Sequence, residues 1–323
     1  MIARLKQRIP AQRGRILDRL IAWSAILLVL AVAAFAVYYY LDQRGGATTG
    51  PMDRRIATLE TAVREHPDSA SARADLGALY FSDGRYDESI KQYRVALELD
   101  EENEAYLVGL GRALLDSGDH RGAAEMFQKA VDLSAGAEMT SDVLETAHYY
   151  LGSISLTEMK PKEAIAHLEQ ALDVEPTDAD AWYLMGVASI EAGDIDKAIE
   201  SLARAVLFVP NYTEAYEKLA TAYEAKGLAA EEQYARGMVA YSQGNYEEAV
   251  RELEAALEDS PEFAAAYLGL GLARESLSQR EAAVAAYGRA LELEPENLNA
   301  QAGLSRLGAP VEGADGANEE VTP

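Results

Sequence analysis

The chain has 323 residues, no cysteine, and 29 Lys or Arg against 54 Asp or Glu, a formal net charge of -25. Without cysteine, neither disulfides nor a thiolate metal site can hold the fold. A body this acidic repels phosphate backbones, which excludes nucleic acid as a partner.

The charge is unevenly spread. Residues 1–20 hold six Lys or Arg (Arg4, Lys6, Arg8, Arg13, Arg15, Arg19) against Asp18, the last fifteen residues carry four acids, and the stretch 42–308 carries the remainder, -26. Residues 21–41 contain no charge. At about 1.5 Å per residue they would span roughly 30 Å as a helix, one membrane crossing. Trp23 stands near one end and Tyr38, Tyr39 and Tyr40 near the other, where amphipathic rings favour the lipid–water boundary. The basic end is expected in the cytoplasm and everything after residue 41 outside it, in the periplasm or at the cell surface. Ala34-Phe35-Ala36 has the small-x-small form that signal peptidase accepts. Against cleavage, the apolar run exceeds the roughly 7 to 15 residues of a signal core. The basic segment has a second reading as a contact for anionic lipid.

Residues 42–51 hold five Gly or Thr residues in an aperiodic run, Gly45, Gly46, Thr48, Thr49 and Gly50. They read as a short flexible tether with a reach of roughly 18 Å. From there to 308 a 34-residue period repeats small residues, aromatic or Leu, and often proline at fixed offsets. A half unit is expected at 52–69, complete units at 70–103, 104–137, 145–178 and 179–212, a second half unit at 213–229, units at 230–263 and 264–297, and a capping helix at 298–308. The last residues, 309–323, are Gly-, Ala- and Glu-rich and read as a disordered acidic tail.

Inside each unit, apolar residues recur at three and four over about fourteen residues, stop at a Gly or polar turn, and recur again: two amphipathic helices. Gly at position 8, as at Gly186, and Ala at positions 20 and 27, as at Ala198 and Ala205, let paired backbones approach. Residues at 4, 11 and 24 fill the space beside them, and proline at 32 closes the unit because it cannot continue a helix. Two places break the period. Glu138–Leu144 is an insertion expected to lengthen the following helix, with Thr140 or Ser141 as N-cap. Residues 213–229 supply one helix and its turn, after which the helix over about 230–242 can be phased either as its missing partner or as the first helix of the next unit. A change in the direction of the stack is expected there.

The offsets Leu110-Gly111, Ala123, Phe127 and Ala130, and likewise Trp182, Gly186, Ala198, Leu202, Ala205 and Pro210, resemble the tetratricopeptide repeat (TPR) family. The resemblance implies an all-α fold, a helix-turn-helix solenoid, here preceded by a single transmembrane helix, and a noncatalytic role in binding polypeptides. In membrane topology the chain is similar to bacterial envelope TPR proteins. The family lines its concave face with positions 2, 5, 9, 12 and 13 of the first helices. That implies a partner-binding groove of Phe81, Leu115, Tyr149, Leu156, Tyr183, Val187, Ile190, Tyr234, Met238 and Tyr241. The Lys and Asn pattern by which some TPR domains clamp carboxylate tails is absent. An apolar, aromatic trough in an acidic body suits an apolar strand or amphipathic helix with basic flanks.

Chemistry-bearing residues are sparse. His66, His120, His148 and His167 show no metal-ligand spacing and fall, in that order, in a terminal turn, an inter-helix turn, the face of a first helix and the outer face of a second. Gly109-Leu-Gly111 and Gly269-Leu-Gly271 lack the third glycine and the preceding strand of a dinucleotide motif. No catalytic set and no cofactor site is expected. The functional expectation is a membrane-anchored scaffold or adaptor for envelope proteins; the alternative is a noncatalytic subunit of an integral-membrane enzyme, photosynthetic or respiratory complex.

Overall fold

The computed structural model describes residues 50–134 and 142–310. Among the described residues there are fifteen α-helices, and none is long and apolar enough to cross a membrane. The segment 21–41, the basic segment before it, most of the tether and the tail from 311 on lie outside the described residues, as do Thr140 and Ser141.

The described residues divide into two compact units, which part between residues 92 and 93. In the first, α1 (Pro51–Glu65) packs on α2 (Ala70–Ser82) around Ile56, Leu76, Leu79 and Tyr80. Tyr80 also donates its hydroxyl to Glu60 at 2.7 Å. The helix at the end of the tether begins at Pro51, where the fixed φ of proline suits the first helical position. The helix α3 (Tyr86–Leu99) carries the chain into the second unit.

There the helices are α4 (Glu104–Asp116), α5 (His120–Ser134), α6 (Asp142–Thr157), α7 (Pro161–Val174), α8 (Ala179–Ala192), α9 (Ile195–Phe208), α10 (Thr213–Lys226), α11 (Ala229–Ser242), α12 (Tyr246–Asp259), α13 (Ala264–Ser276), α14 (Arg280–Leu293) and α15 (Leu298–Arg306). Each packs on the next, the signature of a stack that grows in one direction. At 16 residues α6 is the longest first helix, so the insertion does lengthen it.

Helix starts follow local chemistry. Asn103, Asp178 and Asn297 accept a hydrogen bond from a backbone N–H of the first turn, which satisfies a donor that has no partner inside the helix. The turn inside each unit needs a left-handed residue at position 15. Glycine supplies it at Gly84, Gly118, Gly193, Gly227 and Gly244, while Met159 and Ser278 take the same conformation at φ 58° and 60°. The period is therefore kept in backbone geometry where it is lost in sequence.

The interior is one contact made repeatedly. A Cβ added at Gly186 would lie 2.4 Å from Leu202 Cγ; at Gly111, 2.7 Å from the Phe127 ring; at Gly152, 2.7 Å from Leu168; at Gly237, 2.7 Å from Leu253; at Gly271, 2.5 Å from Tyr287. Position 8 must be glycine because position 24 of the same unit already occupies that volume. Gly109 and Gly269, the dinucleotide-like glycines, belong to the same class, meeting Tyr93 and Met238.

At the half unit the stacking changes. First helices lie on one another in the order α4, α6, α8, α10, and then α11, α13, α15. Helix α11 packs on both α10 and α12, so it serves as second helix to the half unit and first helix to the next. Both phasings of residues 230–242 are realised at once.

Candidate partner-binding surface

Of the ten groove positions, Phe81 belongs to the first compact unit, where its ring lies 5.7 Å from that of Tyr86, and the others to the second. Nine are partly buried; Met238 is buried in the core beside Leu202, Tyr216 and Leu219. Met238 thus packs the junction, with its sulfur at the place where a side chain on Gly269 would go. Tyr183, Ile190, Tyr234 and Tyr241 pack around that same cluster from the outside. Tyr149 belongs to the neighbouring one, beside Trp182 and Leu184 and against Leu168 and Met185. Leu115, Leu156 and Val187 stay half-exposed along α4, α6 and α8.

The environment of Tyr149 is polar on one side. It lines a recess with Arg112, Glu145, Asp178 and Asp180. Burial, then the charges of Asp180 and Asp178, push its hydroxyl up to about 12. Its carboxyl neighbour Glu145 is also pushed up, by burial first. Tyr212, in the turn before α10, donates to Asp180 at 2.7 Å and lies with its ring 5.1 Å from Tyr183. Burial and that acceptor raise the Tyr212 hydroxyl. Burial likewise raises Tyr183, aided by Glu214 and Glu217. Phenols so placed stay neutral donors at every physiological pH.

Tyr234 differs. It keeps some surface in an open cleft, yet its hydroxyl is withdrawn from water, hydrogen-bonded with Tyr216 and raised well above 10, burial being the chief cause. Its ring packs at 5.0 Å from Phe263 and edge-on at 6.2 Å from Tyr216. It is a structural residue first and a surface residue second.

Sequence reasoning missed Tyr212, Tyr216 and Tyr223. The last two occupy positions 4 and 11 of the half unit; Tyr212 stands at position 34, the helix N-cap position that Asn103, Asp178 and Asn297 hold elsewhere. A tyrosine directly before an incomplete unit was the available signal.

The histidines are also rearranged by the fold. His148 and His167, at positions 4 and 23 of one unit, meet across α6 and α7 with their Nδ1 atoms 3.1 Å apart. His167 is therefore half-buried against a partner helix rather than on an outer face. One ring donates and the other accepts, so the two cannot both be protonated while the contact holds. Burial, and secondarily His167, lowers His148 to about 4; burial lowers His167, opposed by Glu163. Among the described residues no three His, Asp or Glu side chains are grouped to hold a metal ion.

Four family models match the chain: three described as tetratricopeptide repeat, over residues 156–227, 234–297 and 105–136, and one described as TPR repeat, over 77–118. The chain is 31% identical over 151 residues to ALBINO3-like protein 3, mitochondrial, of Arabidopsis thaliana, covering 43% of this chain and 27% of that protein. It is 29% identical over 106 residues to tetratricopeptide repeat-containing protein trd-1 of Caenorhabditis elegans, covering 33% of this chain and 13% of that protein. The chain thus spans about a quarter or less of the length of the curated relatives it matches. Among solved structures, the MamA RS-1 ArsTM double mutant aligns at a TM-score of 0.50 and 22% identity, covering 55% of this chain and 95% of that one. A MamA crystal structure aligns at 0.45 and 26% identity, covering 59% and 95%. The first is a likeness of fold. Stacked helix pairs, glycines seated against position 24 and a left-handed residue at position 15 agree with the matched models: this chain carries tetratricopeptide repeats over residues 77–136, 156–227 and 234–297.

Proposed function

We propose that the chain is a membrane-anchored scaffold or adaptor, held with its N-terminus in the cytoplasm and its repeats outside it, that binds polypeptide partners through the aromatic face of its first helices. The observation that carries this reading is the partly buried tyrosines Tyr149 and Tyr183, with Tyr212 against the Tyr183 ring and Asp178 and Asp180 beside them. Rigid aromatics give large contact area at low entropic cost, and adjacent carboxylates favour a partner with Lys or Arg beside its apolar residues. The anchor rests on the uncharged residues 21–41 and on the basic residues that precede them.

Two experiments test it. Protease added outside the cytoplasmic membrane should digest the repeats and spare residues 1–20; protection of the repeats until the cytoplasm is opened would refute the topology. Crosslinking and pull-down from native membranes with the double variant Tyr149→Ala/Tyr183→Ala should recover far less partner while the variant stays folded and helical, its melting temperature lowered by only a few degrees. At about 1 kcal/mol per ring the loss is roughly 30-fold. Undiminished capture would refute the tyrosine surface. Many clients in the wild-type pull-down mark an adaptor, and one stoichiometric complex marks the alternative, a noncatalytic subunit.

A further inference from the structure

The second helices of the six complete units can be laid on one another by the period, and one departs at its surface. Position 29 is acidic at Glu98, Asp132, Asp173, Glu258 and Glu292, but is Leu207 in α9. Position 31 is polar or acidic at Asp100, Ser134, Glu175, Ser260 and Glu294, but is Val209. One turn before Leu207, where Arg94, Gln128, Glu169 and Glu254 stand in four of the other units and Gly288 in the fifth, α9 has Ala203. Leu207 is 71% exposed, with Phe208 and Val209 exposed beside it. A single exposed leucine needs no explanation; Leu207 and Val209 at two positions that are polar or acidic in every other complete unit, with the exposed Phe208 between them, do.

The same edge lies on a cleft of about 500 Å³. Ala203, Val206 and Leu207 form one wall, Tyr216 and Tyr223 of α10 and Tyr241 of α11 contribute to its floor, and Leu272 of α13 and Arg306 of α15 close the other side. The half unit brings these elements to one opening, because the stack of first helices ends at α10 and restarts at α11. Among the lining residues Arg306 carries the charge, and both of its bonds go to Glu275, at 2.9 and 2.8 Å. Around the cleft, residues 195–306 hold nineteen acids against ten Lys or Arg.

Except for Pro210 and Asn211, every lining residue belongs to a helix, and away from the helix ends the backbone groups that face the cleft are already bonded within it. An extended segment would have to bury unpaired N–H and C=O groups against such a wall, whereas a helix arrives with its own paired. The Ala203–Leu207 ridge has the four-residue spacing that packs into the grooves of another helix. We infer that this cleft receives the apolar stripe of an amphipathic helix from a partner polypeptide, a helix whose stripe is bordered by Lys and Arg. The inference deepens the proposed function, resting on its view that the repeats bind polypeptides, but it places the seat at the half unit rather than at Tyr149 and Tyr183.

The test uses the full chain and two synthetic 18-residue amphipathic peptides, one of Leu and Lys and one of Leu and Glu, titrated by fluorescence anisotropy. The Leu/Lys peptide should bind, the Leu/Glu peptide should not, and Ala203→Gln/Leu207→Gln should weaken Leu/Lys binding about tenfold or more at unchanged melting temperature. Both substitutions are on exposed positions, so the fold tolerates them. Equal binding of the two peptides, no binding of either, or binding indifferent to the glutamines would each overturn the inference. Concentration-dependent dimerisation of the wild type that the glutamines abolish would assign the cleft to a second copy and overturn it as well. The Tyr149→Ala/Tyr183→Ala variant separates the two readings: if it loses the native partner while the cleft ignores the peptide, the function stands and this seat fails.

Discussion

At Gly186 two helices meet with no room for a methyl group; at Leu207, one helix later, an apolar side chain stands mostly in water. The first contact is repeated, with the residue at position 24 exchanged between Leu, Phe and Tyr, at Gly111, Gly152, Gly237 and Gly271. The second does not recur at its position in the other complete units, where Glu98, Asp132, Asp173, Glu258 and Glu292 stand. In a stacked protein the recurring contact maintains the stack, and the place where the period is broken is free to differ. The interior of the repeats therefore explains stability, and the half unit at 213–229 is where specificity can be written.

The largest effect that would break this contrast is at the seam. Gly186→Leu should overpack Leu202 and cost about 3 kcal/mol, with hydrogen-exchange protection lost in α8 and α9 and kept in α13 and α14. Uniform loss of protection would mean one cooperative globule, and the seam would not be a local device. Tyr234→Ala comes next, at about 3 kcal/mol, since it empties a site between Tyr216 and Phe263, whereas Tyr183→Ala should cost about 1 kcal/mol. Equal melting temperatures of the two variants would erase the distinction between a packing and a surface tyrosine.

The histidine pair sharpens the comparison by pH. His148 has a folded value of about 4, below its ordinary 6.5, so the folded state favours the neutral ring and the unfolded chain takes the proton first. Its contribution is complete above pH 6.5 and is lost as the pH falls toward 4, on the order of 2 to 3 kcal/mol. Protection of α6 and α7 should fall over that window before that of α13 and α14; His148→Phe should flatten the difference, and an identical pH response in both regions would refute the local assignment.

The smallest effects are at the turns. Met159→Gly and Ser278→Gly should each raise stability by about 0.5 to 1 kcal/mol, because both positions hold an L-residue in the left-handed region. Gly193→Ala should lower it by about as much. Thermal melts of the three variants check the sign, and a destabilised Met159→Gly would show that Met159 has a packing role.

Much of the fold was legible in the chain because it is local and periodic. Helix pairs follow from the spacing of apolar residues, their ends from the Gly turns and the proline at position 32, and the packing role of Gly186 and Ala205 from their small size at constant offsets. The sequence of α11 suits either of two phasings, and only the presence of both α10 and α12 lets it pack on two sides. Met238 carried the right offset for a groove residue, and its burial was decided by Gly269 of α13, more than one helix away. The meeting of His148 with His167 and of Tyr212 with Asp180 was likewise invisible, as each pair lies 19 or 32 residues apart and depends on how two helices rotate about their axes. By itself the sequence determined the repeat, its helices and its acidic, aromatic character, because these are sums over local preferences. Which aromatics are buried, which histidines touch and where an apolar wall faces water were decided by tertiary structure, because a helix surface acquires an inside only when its neighbour is in place.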